Sequence, residues 1–346
     1  MSKQKIQLSD HFDYSRLLRF VLPCVGTMLF TSIYGIVDGL CVSNFVGKTA
    51  FAAVNLIMPV PMLVGSVGFM LGTGGSAIVG ITLGEGDREK ADRYFSLFVW
   101  TGLLAGIVLS AVGVLIVRPA AALLGAEGEM LDYAVRYGRL LMLSLPFFIL
   151  QNMFQSFFVT AEKPHLGFAF TVAAGVTNMV LDVVLVGMLH GGVEGAAIAT
   201  VAAQLISTLG CFLYAFLKYP ELRLHREDWR ITRRDVTRHL IQGIPLGLQF
   251  SVLAIGIIVM QSVIVQFDTL GGEMVSNAAQ NGFGAANKLN NLLMTPLNGL
   301  GAAMTSFTAQ NLGAGDHARI KKGTVQALII VWTMCLISIA AGLLLS

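Results

Sequence analysis

About nine long apolar stretches run through this sequence, and each has a length that can cross a lipid bilayer as a helix. Hydrophobic residues make up 55% of the chain and charged residues 12%, which is more apolar side chain than a soluble core can bury. Because hydrocarbon offers no hydrogen bonds to the backbone, such stretches must be helical. The sequence therefore predicts an all-α, polytopic transmembrane protein with spans near 17–43, 53–82, 95–117, 135–158, 166–189, 194–217, 240–267, 278–311 and 324–346.

The basic residues predict the orientation of these spans. When the spans alternate in direction, most of the 23 lysines and arginines fall on one side of the membrane. The positive-inside rule makes that side cytoplasmic, and the N-terminus lies there. Arg16 and Arg19 precede the first apolar stretch and no cleavage site closes a short apolar region, so a retained span is expected rather than a signal peptide. We expect a multi-pass protein of the cell (plasma or inner) membrane.

The run from Arg223 to Arg238 is the densest group of basic residues. It lies between two spans and contains no stacking aromatic residue apart from Trp229, which favours a cytoplasmic linker over a nucleic-acid site. The linker divides the chain into parts. We expect an N-terminal six-helix lobe over 1–217, a linker over 218–239 and a partial C-terminal lobe over 240–346.

An internal repeat straddles this linker. Gly84-Glu85-Gly86-Asp87 closes the second span and Gly313-Ala314-Gly315-Asp316 closes the eighth, while Pro23 opens the first span and Pro245 the seventh. An even number of spans separates each pair, which predicts parallel repeats of the kind found in secondary transporters. A second six-helix lobe would extend past residue 346, so we expect a truncated sequence that lacks about three spans and transports little or nothing. A natural nine-span protein is the alternative.

Two carboxylates, Asp38 and Asp182, lie deep inside predicted spans, unlike the rest of the 20 acidic residues. An intramembrane acid is costly and marks a functional site by default, although a structural hydrogen bond between helices is the alternative. Counting a rise of about 1.5 Å per residue from the nearest loops puts both acids roughly 12 to 15 Å below the outer surface. They are therefore expected at one level of the N-terminal lobe.

Other polar side chains are expected at the same level. Asn178 and Tyr34 each precede one of the acids by four residues and so share its helix face, and Thr200 falls at a similar depth on the sixth span. Such a set suits either protonation of the carboxylates or binding of a small hard cation. The sequence does not decide between these, and Thr200 and Tyr34 are also compatible with simple helix packing.

Lys288 is the one basic residue well inside a span, and it lies among several asparagines of the eighth stretch. Asparagines facing lipid would be costly, so this helix is expected to line a wet cavity, or else to begin as an interfacial loop near Gly271. In the first span, Pro23 removes a backbone hydrogen bond and can bend the helix, which would move Asp38.

Enzymatic chemistry is not indicated. Gly72-Thr73-Gly74-Gly75 does not complete a phosphate-binding pattern, because Ala77 replaces its last glycine and no strand precedes it. The six histidines are dispersed, so no catalytic constellation can be assembled and no catalytic residue or cofactor is expected. The four cysteines stand singly in apolar stretches, which indicates packing rather than disulfides or a metal site.

These residues resemble one family along essentially the whole chain: the multidrug and toxin extrusion (MATE) transporters, within a group that also contains lipid-linked oligosaccharide flippases. The resemblance lies in Pro23 with Tyr34-Gly35-Ile36-Val37-Asp38, in the two glycine turns, and in Thr177-Asn178-Met179-Val180-Leu181-Asp182 followed by Gly195 and Thr200. It implies twelve spans in two six-helix lobes. It also implies export of cationic or amphipathic compounds by alternating access, driven by entry of Na⁺ or H⁺.

The resemblance further implies roles for residues. The coupling-cation site of the family corresponds to Asp38, Asn178, Asp182 and Thr200, bending corresponds to Pro23, and Gln155 and Tyr137 would line the same cavity. Tyr34 and Lys288 are further candidates for this cavity. Some relatives carry an acid in the seventh span, where this chain has Gln249 and Gln261, so a cation site in the C-terminal lobe is not expected.

The leading hypothesis is therefore a monomeric antiporter in the bilayer that exchanges small cationic or amphipathic molecules for Na⁺ or H⁺, with no other metal. The first alternative is a flippase for a lipid-linked saccharide precursor. A carrier of an anionic pyrophosphate should have several basic residues in its cavity, and only Lys288 is available here. The second alternative is a non-transporting membrane receptor or scaffold, which would not need two buried acids at one depth.

Overall fold

The computed structural model describes residues 14–217, 233–270, 273–274 and 278–345, and these are almost entirely helical. The helices are α1 (Tyr14–Cys41), α2 (Lys48–Ile57), α3 (Pro59–Gly84), α4 (Arg88–Leu123), α5 (Gly128–Leu143), α6 (Leu145–Thr160), α7 (Pro164–Asp182), α8 (Gly192–Leu217), α9 (Arg233–Val265), α10 (Ala278–Gly313) and α11 (His317–Leu345). Two π-helical turns, Val42–Val46 and Val183–Met188, extend α1 and α7. A 3-10 turn (Gln266–Asp268) and two-residue antiparallel strands β1 (Thr269–Leu270) and β2 (Glu273–Met274) follow α9.

Seven helical segments of the described chain are long and apolar enough to cross a membrane, and α5 with α6 forms an eighth, bent segment. This confirms the all-α polytopic fold. Helix α10 occupies the position of the remaining predicted span but is less apolar, because asparagines are spread along it. The linker expected over 218–239 lies mostly outside the described residues, and α9 already begins at Arg233, inside that range.

Two predicted spans, 53–82 and 135–158, are each built from two helices. Pro59 starts α3 directly after Met58, where α2 ends, and Pro146 lies at the start of α6. Because proline has no N–H to donate to the preceding turn, the regular hydrogen-bond ladder is interrupted at each of these points. Between α5 and α6 the chain bends by 56°.

The repeated glycine turns have the same local structure in both copies. Gly86 and Gly315 adopt positive φ values of 86° and 72°, which ends α3 and α10 with a conformation that favours glycine. Asp87 then accepts a hydrogen bond from the Lys90 amide at 3.1 Å, and Asp316 accepts one from the Arg319 amide at 2.9 Å. Each turn therefore stops one helix and caps the next.

These two turns also lie where α3 meets α10. A Cβ atom on Gly313 would overlap the carbonyl oxygen of Ile81, and one on Gly84 would overlap the carbonyl oxygen of Gln310. Nearby, the Gln310 side chain donates to the Thr160 carbonyl at 2.9 Å. Glycine is thus required here because the two backbones touch.

Helix α1 packs against α10 on one side and against α7 on another. Leu17, Phe20 and Val21 on α1 pack with Leu300 and Phe307 on α10 in one buried apolar cluster. On another side α1 packs along α7, where Phe30 and Tyr34 lie over Gly175. The acid-bearing helices α1 and α7 are therefore held side by side, with α10 against α1.

We expect Gly313→Ala to destabilise the protein, because the added methyl group must push α10 away from the Ile81 carbonyl. Overpacking of this kind costs about 1–3 kcal/mol, so the thermal midpoint in detergent should fall by several degrees. Gly282→Ala is the matched control on the same helix, since nothing lies within 4 Å of its new methyl group. A midpoint for Gly313→Ala at or above that of the control would contradict the close backbone approach.

Candidate functional site

The two intramembrane acids lie close together in a buried cluster. Asp38 is 5% exposed on α1, and Asp182 is fully buried at the end of α7. The two carboxylates lie within electrostatic range of each other, and the Cys41 thiol lies within range of both. The structure thus brings together the two residues that counting along the helices placed at one level.

An amide and a hydroxyl from two helices complete this arrangement. Asn178, one turn before Asp182 on α7, is 1% exposed and donates through Nδ2 to Oγ1 of Thr200 on α8 at 3.4 Å. Tyr137 on α5 is fully buried, with its hydroxyl near Thr200 and in electrostatic range of both carboxylates. We call Asp38, Asn178, Asp182, Thr200 and Tyr137 the acid cluster.

The acid cluster contains more hydrogen-bond acceptors than donors. Four acceptor oxygens of the cluster are buried and have no hydrogen-bond partner among the described residues: Oδ1 of Asp38, Oδ1 of Asn178 and both carboxylate oxygens of Asp182. The Tyr137 hydroxyl, which can donate one hydrogen bond, is also buried without a partner there, so acceptors still outnumber donors. Buried polar atoms without partners are rare because desolvation leaves their cost uncompensated. Oxygen atoms in this arrangement match what a proton or a small hard cation requires.

Both acid-bearing helices change to π-helical turns immediately beyond the acids. Helix α1 does so at Val42 and α7 at Val183, and the two turns contact each other, with Phe45 against Gly187. A π turn changes the direction of the side chains that follow it and is frequent at functional sites. Neither sequence gave a signal for these turns.

Tyr34 and Lys288 lie beside the acid cluster. The Tyr34 ring packs against Phe30 at a centroid distance of 6.5 Å and covers Gly175. Lys288 extends from α10 to α1 and donates to the Gly35 carbonyl at 2.7 Å. Its ammonium is therefore at the α1–α10 interface. The cavity role of Lys288 stays a prediction, and Gly271, near which the alternative placed an interfacial loop, lies outside the described residues.

A separate cavity of about 260 Å³ lies between α1, α3, α6, α7, α9 and α10. Gln155 lines it and donates to Thr171 at 3.1 Å. Neither Tyr34, Tyr137 nor Lys288 is among its described lining residues. Pro23 adjoins it through Cys24 and Thr27; α1 continues through the proline, and the Thr27 hydroxyl donates to the Pro23 carbonyl at 2.8 Å.

The residue that sequence reasoning undervalued is Tyr137. Spacing from Asp38 suggested Tyr34 as the phenol at the site, yet the buried hydroxyl beside Thr200 belongs to Tyr137. Only the family resemblance pointed to it. Depth along the span does not place a residue of α5, because the chain bends between α5 and α6 and this bend sets the direction of α5.

The family profile described as MatE matches residues 23–184 and 245–346, which is most of the chain. The chain belongs to the MatE family. The matched ranges include Asp38, Asn178, Asp182 and Lys288.

Curated relatives of this MatE chain are multidrug proteins by name. It is 22% identical over 327 residues to the multidrug export protein MepA of Staphylococcus saprophyticus, which covers 94% of this chain and 70% of the relative. It is 24% identical over 307 residues to the probable multidrug resistance protein YoeA of Bacillus subtilis, covering 88% of this chain and 65% of the relative. The chain thus spans about two thirds of the length of these relatives.

A solved structure shows the same fold. The MATE multidrug transporter DinF-BH superposes with a TM-score of 0.89 at 24% identity, covering 98% of this chain and 75% of the other. This similarity confirms the arrangement of helices in a multi-pass membrane protein.

We expect Asp182→Asn to raise thermal stability in a buffer free of metal cations. The amide removes a buried charge and supplies two N–H donors to a cluster with excess acceptors, a change worth about 1–3 kcal/mol. Asp132→Asn, on the exposed surface of α5, is the control and should leave the midpoint unchanged. A lower midpoint for Asp182→Asn would show that the carboxylate already has adequate partners.

Proposed function

We propose that this MatE chain is part of a secondary antiporter that exports cationic or amphipathic small molecules in exchange for Na⁺ or H⁺ by alternating access. The observation that supports this proposal is the set of buried acceptor oxygens of Asp38, Asn178 and Asp182 that lack donors among the described residues. A cation or proton supplied from outside is the missing partner. A purely structural cluster would be expected to satisfy these atoms internally.

In this mechanism the carboxylates of Asp38 and Asp182 bind the coupling cation, with the oxygens of Asn178 and Thr200 as further ligands. Charge neutralisation removes the repulsion between the two acids, which lie in electrostatic range of each other. A cation bound here shifts the protein only if it favours one arrangement of α1 and α7 over another. The π turns that follow both acids are the elements best placed to differ between such arrangements.

The substrate would bind in the cavity of about 260 Å³. Its lining combines apolar side chains such as Met28 and Phe69 with the amides of Gln155, Gln249 and Asn298. Apolar surface with a few polar groups suits amphipathic molecules of varied shape. The names of MepA and YoeA, and the description of DinF-BH as a multidrug transporter, support multidrug export as the activity.

The flippase alternative is less well supported. A lipid-linked pyrophosphate needs cationic groups in the central cavity, and the described lining contains neither lysine nor arginine. Lys288 is engaged with the Gly35 carbonyl instead. A receptor or scaffold, in turn, would not require buried acids without donors.

In everted membrane vesicles that contain the complete antiporter, we expect Asp38→Asn and Asp182→Asn each to abolish export of a cationic dye into the vesicle lumen, while membrane insertion stays normal. Each change removes a charge that attracts the coupling cation. We expect the export rate to fall more than ten-fold, which corresponds to a loss of more than about 1.4 kcal/mol of favourable cation interaction. Efflux rates under an imposed Na⁺ gradient and under an imposed pH gradient identify the coupling ion. Asp132→Asn serves as the control, and full efflux in both acid variants would contradict the proposal.

A further inference from the structure

Lys288 forms a charged contact between the helix that carries Asp38 and the C-terminal part of the chain. Its Nζ donates to the Gly35 carbonyl of α1 at 2.7 Å and lies 5.9 Å from the centre of the Phe51 ring on α2. It also stands 2.7 Å from where a Cβ atom of residue 39 would be, so Gly39 makes room for the ammonium. The side chain is partly buried.

The ammonium is close to Asp38 without being paired to it. Asp38 lies between Gly35 and Gly39 in the sequence, and its carboxylate is in electrostatic range of Lys288. No ion pair between the two is among the described salt bridges, and Oδ1 of Asp38 has no hydrogen-bond partner among the described residues. Lys288 thus supplies positive potential to the acid cluster while its hydrogen bond goes to a carbonyl.

The other close contacts between α1 and α10 are made by uncharged residues. The Ser32 and Thr295 hydroxyls are 3.0 Å apart, and a Cβ atom on Gly299 would lie 2.9 Å from Cα of Val25. Near Lys288, Gly284 packs against the Asn55 side chain of α2. A change of charge in the acid cluster therefore acts on this interface through Lys288.

We propose that Lys288 is a resident cation of the acid cluster, which competes with an incoming metal cation for Asp38 and links cation binding to the contact between α1 and α10. With both acids ionised, one ammonium leaves the cluster a net negative charge, so a monovalent cation is still attracted. Once it binds, the two positive charges repel each other at low dielectric, and the Lys288 contact with Gly35 weakens. This inference rests on the proposed cation-binding role of Asp38.

The experiment measures binding of Na⁺ alone to the purified chain in detergent at fixed ionic strength. Lys288→Met removes the competing charge and should tighten Na⁺ binding about ten-fold, since one nearby unit charge contributes at least that factor at protein dielectric. Lys288→Arg keeps the charge and should bind Na⁺ like the unmodified chain. Lys321→Met, an exposed lysine of α11, is the control for loss of a positive charge elsewhere.

A second measurement reports the interface. Cysteines introduced by Ser32→Cys and Thr295→Cys replace two hydroxyls 3.0 Å apart, and their oxidative cross-linking follows the approach of α1 and α10. Na⁺ should reduce the cross-linking rate in the chain with Lys288 and have no effect in Lys288→Met. Equal sensitivity to Na⁺ in both would overturn the link.

Asp38→Asn separates this inference from the proposed function. If Asp38→Asn abolishes Na⁺ binding but Lys288→Met leaves it unchanged or weaker, the cation site stands and the role of Lys288 is overturned. If Asp38→Asn leaves Na⁺ binding intact, the proposed site itself is wrong. If Lys288→Met does not bind Na⁺, the proposed competition between Lys288 and Na⁺ is overturned, whether or not the unmodified chain binds Na⁺.

Discussion

The cost of a polar group without a partner in an apolar medium determines most of this structure. It makes the spanning segments helical, because only helices satisfy the backbone internally in hydrocarbon. It also accounts for the breaks at Pro59 and Pro146, where a donor is missing from the ladder. Against this background, the group of buried acceptors at Asp38, Asn178 and Asp182 is an exception that the protein maintains at a cost. Such an exception is easier to explain by a ligand than by stability.

The proximity of the two acids could be predicted from the sequence, whereas the direction of the side chains around them could not. A constant rise per residue placed Asp38 and Asp182 at one level, and four-residue spacing placed Asn178 on the face of Asp182. The structure brings these three together. The rotation of one helix about its axis relative to its neighbours leaves no such trace in the sequence. For that reason Tyr34 and Tyr137 could not be ranked, and the π turns after both acids were not anticipated.

Lys288 illustrates the same limit. Its depth and its asparagine neighbours favoured a helix that lines a cavity, and α10 does line one at Asn298, while the Lys288 side chain extends across to α1. A lysine has a long flexible stem, and its charged end goes where a carbonyl and a negative potential are within reach. What allows this is the absence of a side chain at Gly39, which leaves space for the ammonium. A glycine on one helix and a lysine on another, far apart in sequence, form a pair that spacing alone does not reveal.

The two ends of α10 contact their neighbours through different kinds of interaction. At Gly313 the contact with α3 is between backbones, with no charge, and its strength depends on close packing that a bound ion does not alter. At Lys288 the contact with α1 depends on charge and lies beside the Asp38 carboxylate. An ion that enters the acid cluster therefore changes the free energy of one contact much more than that of the other.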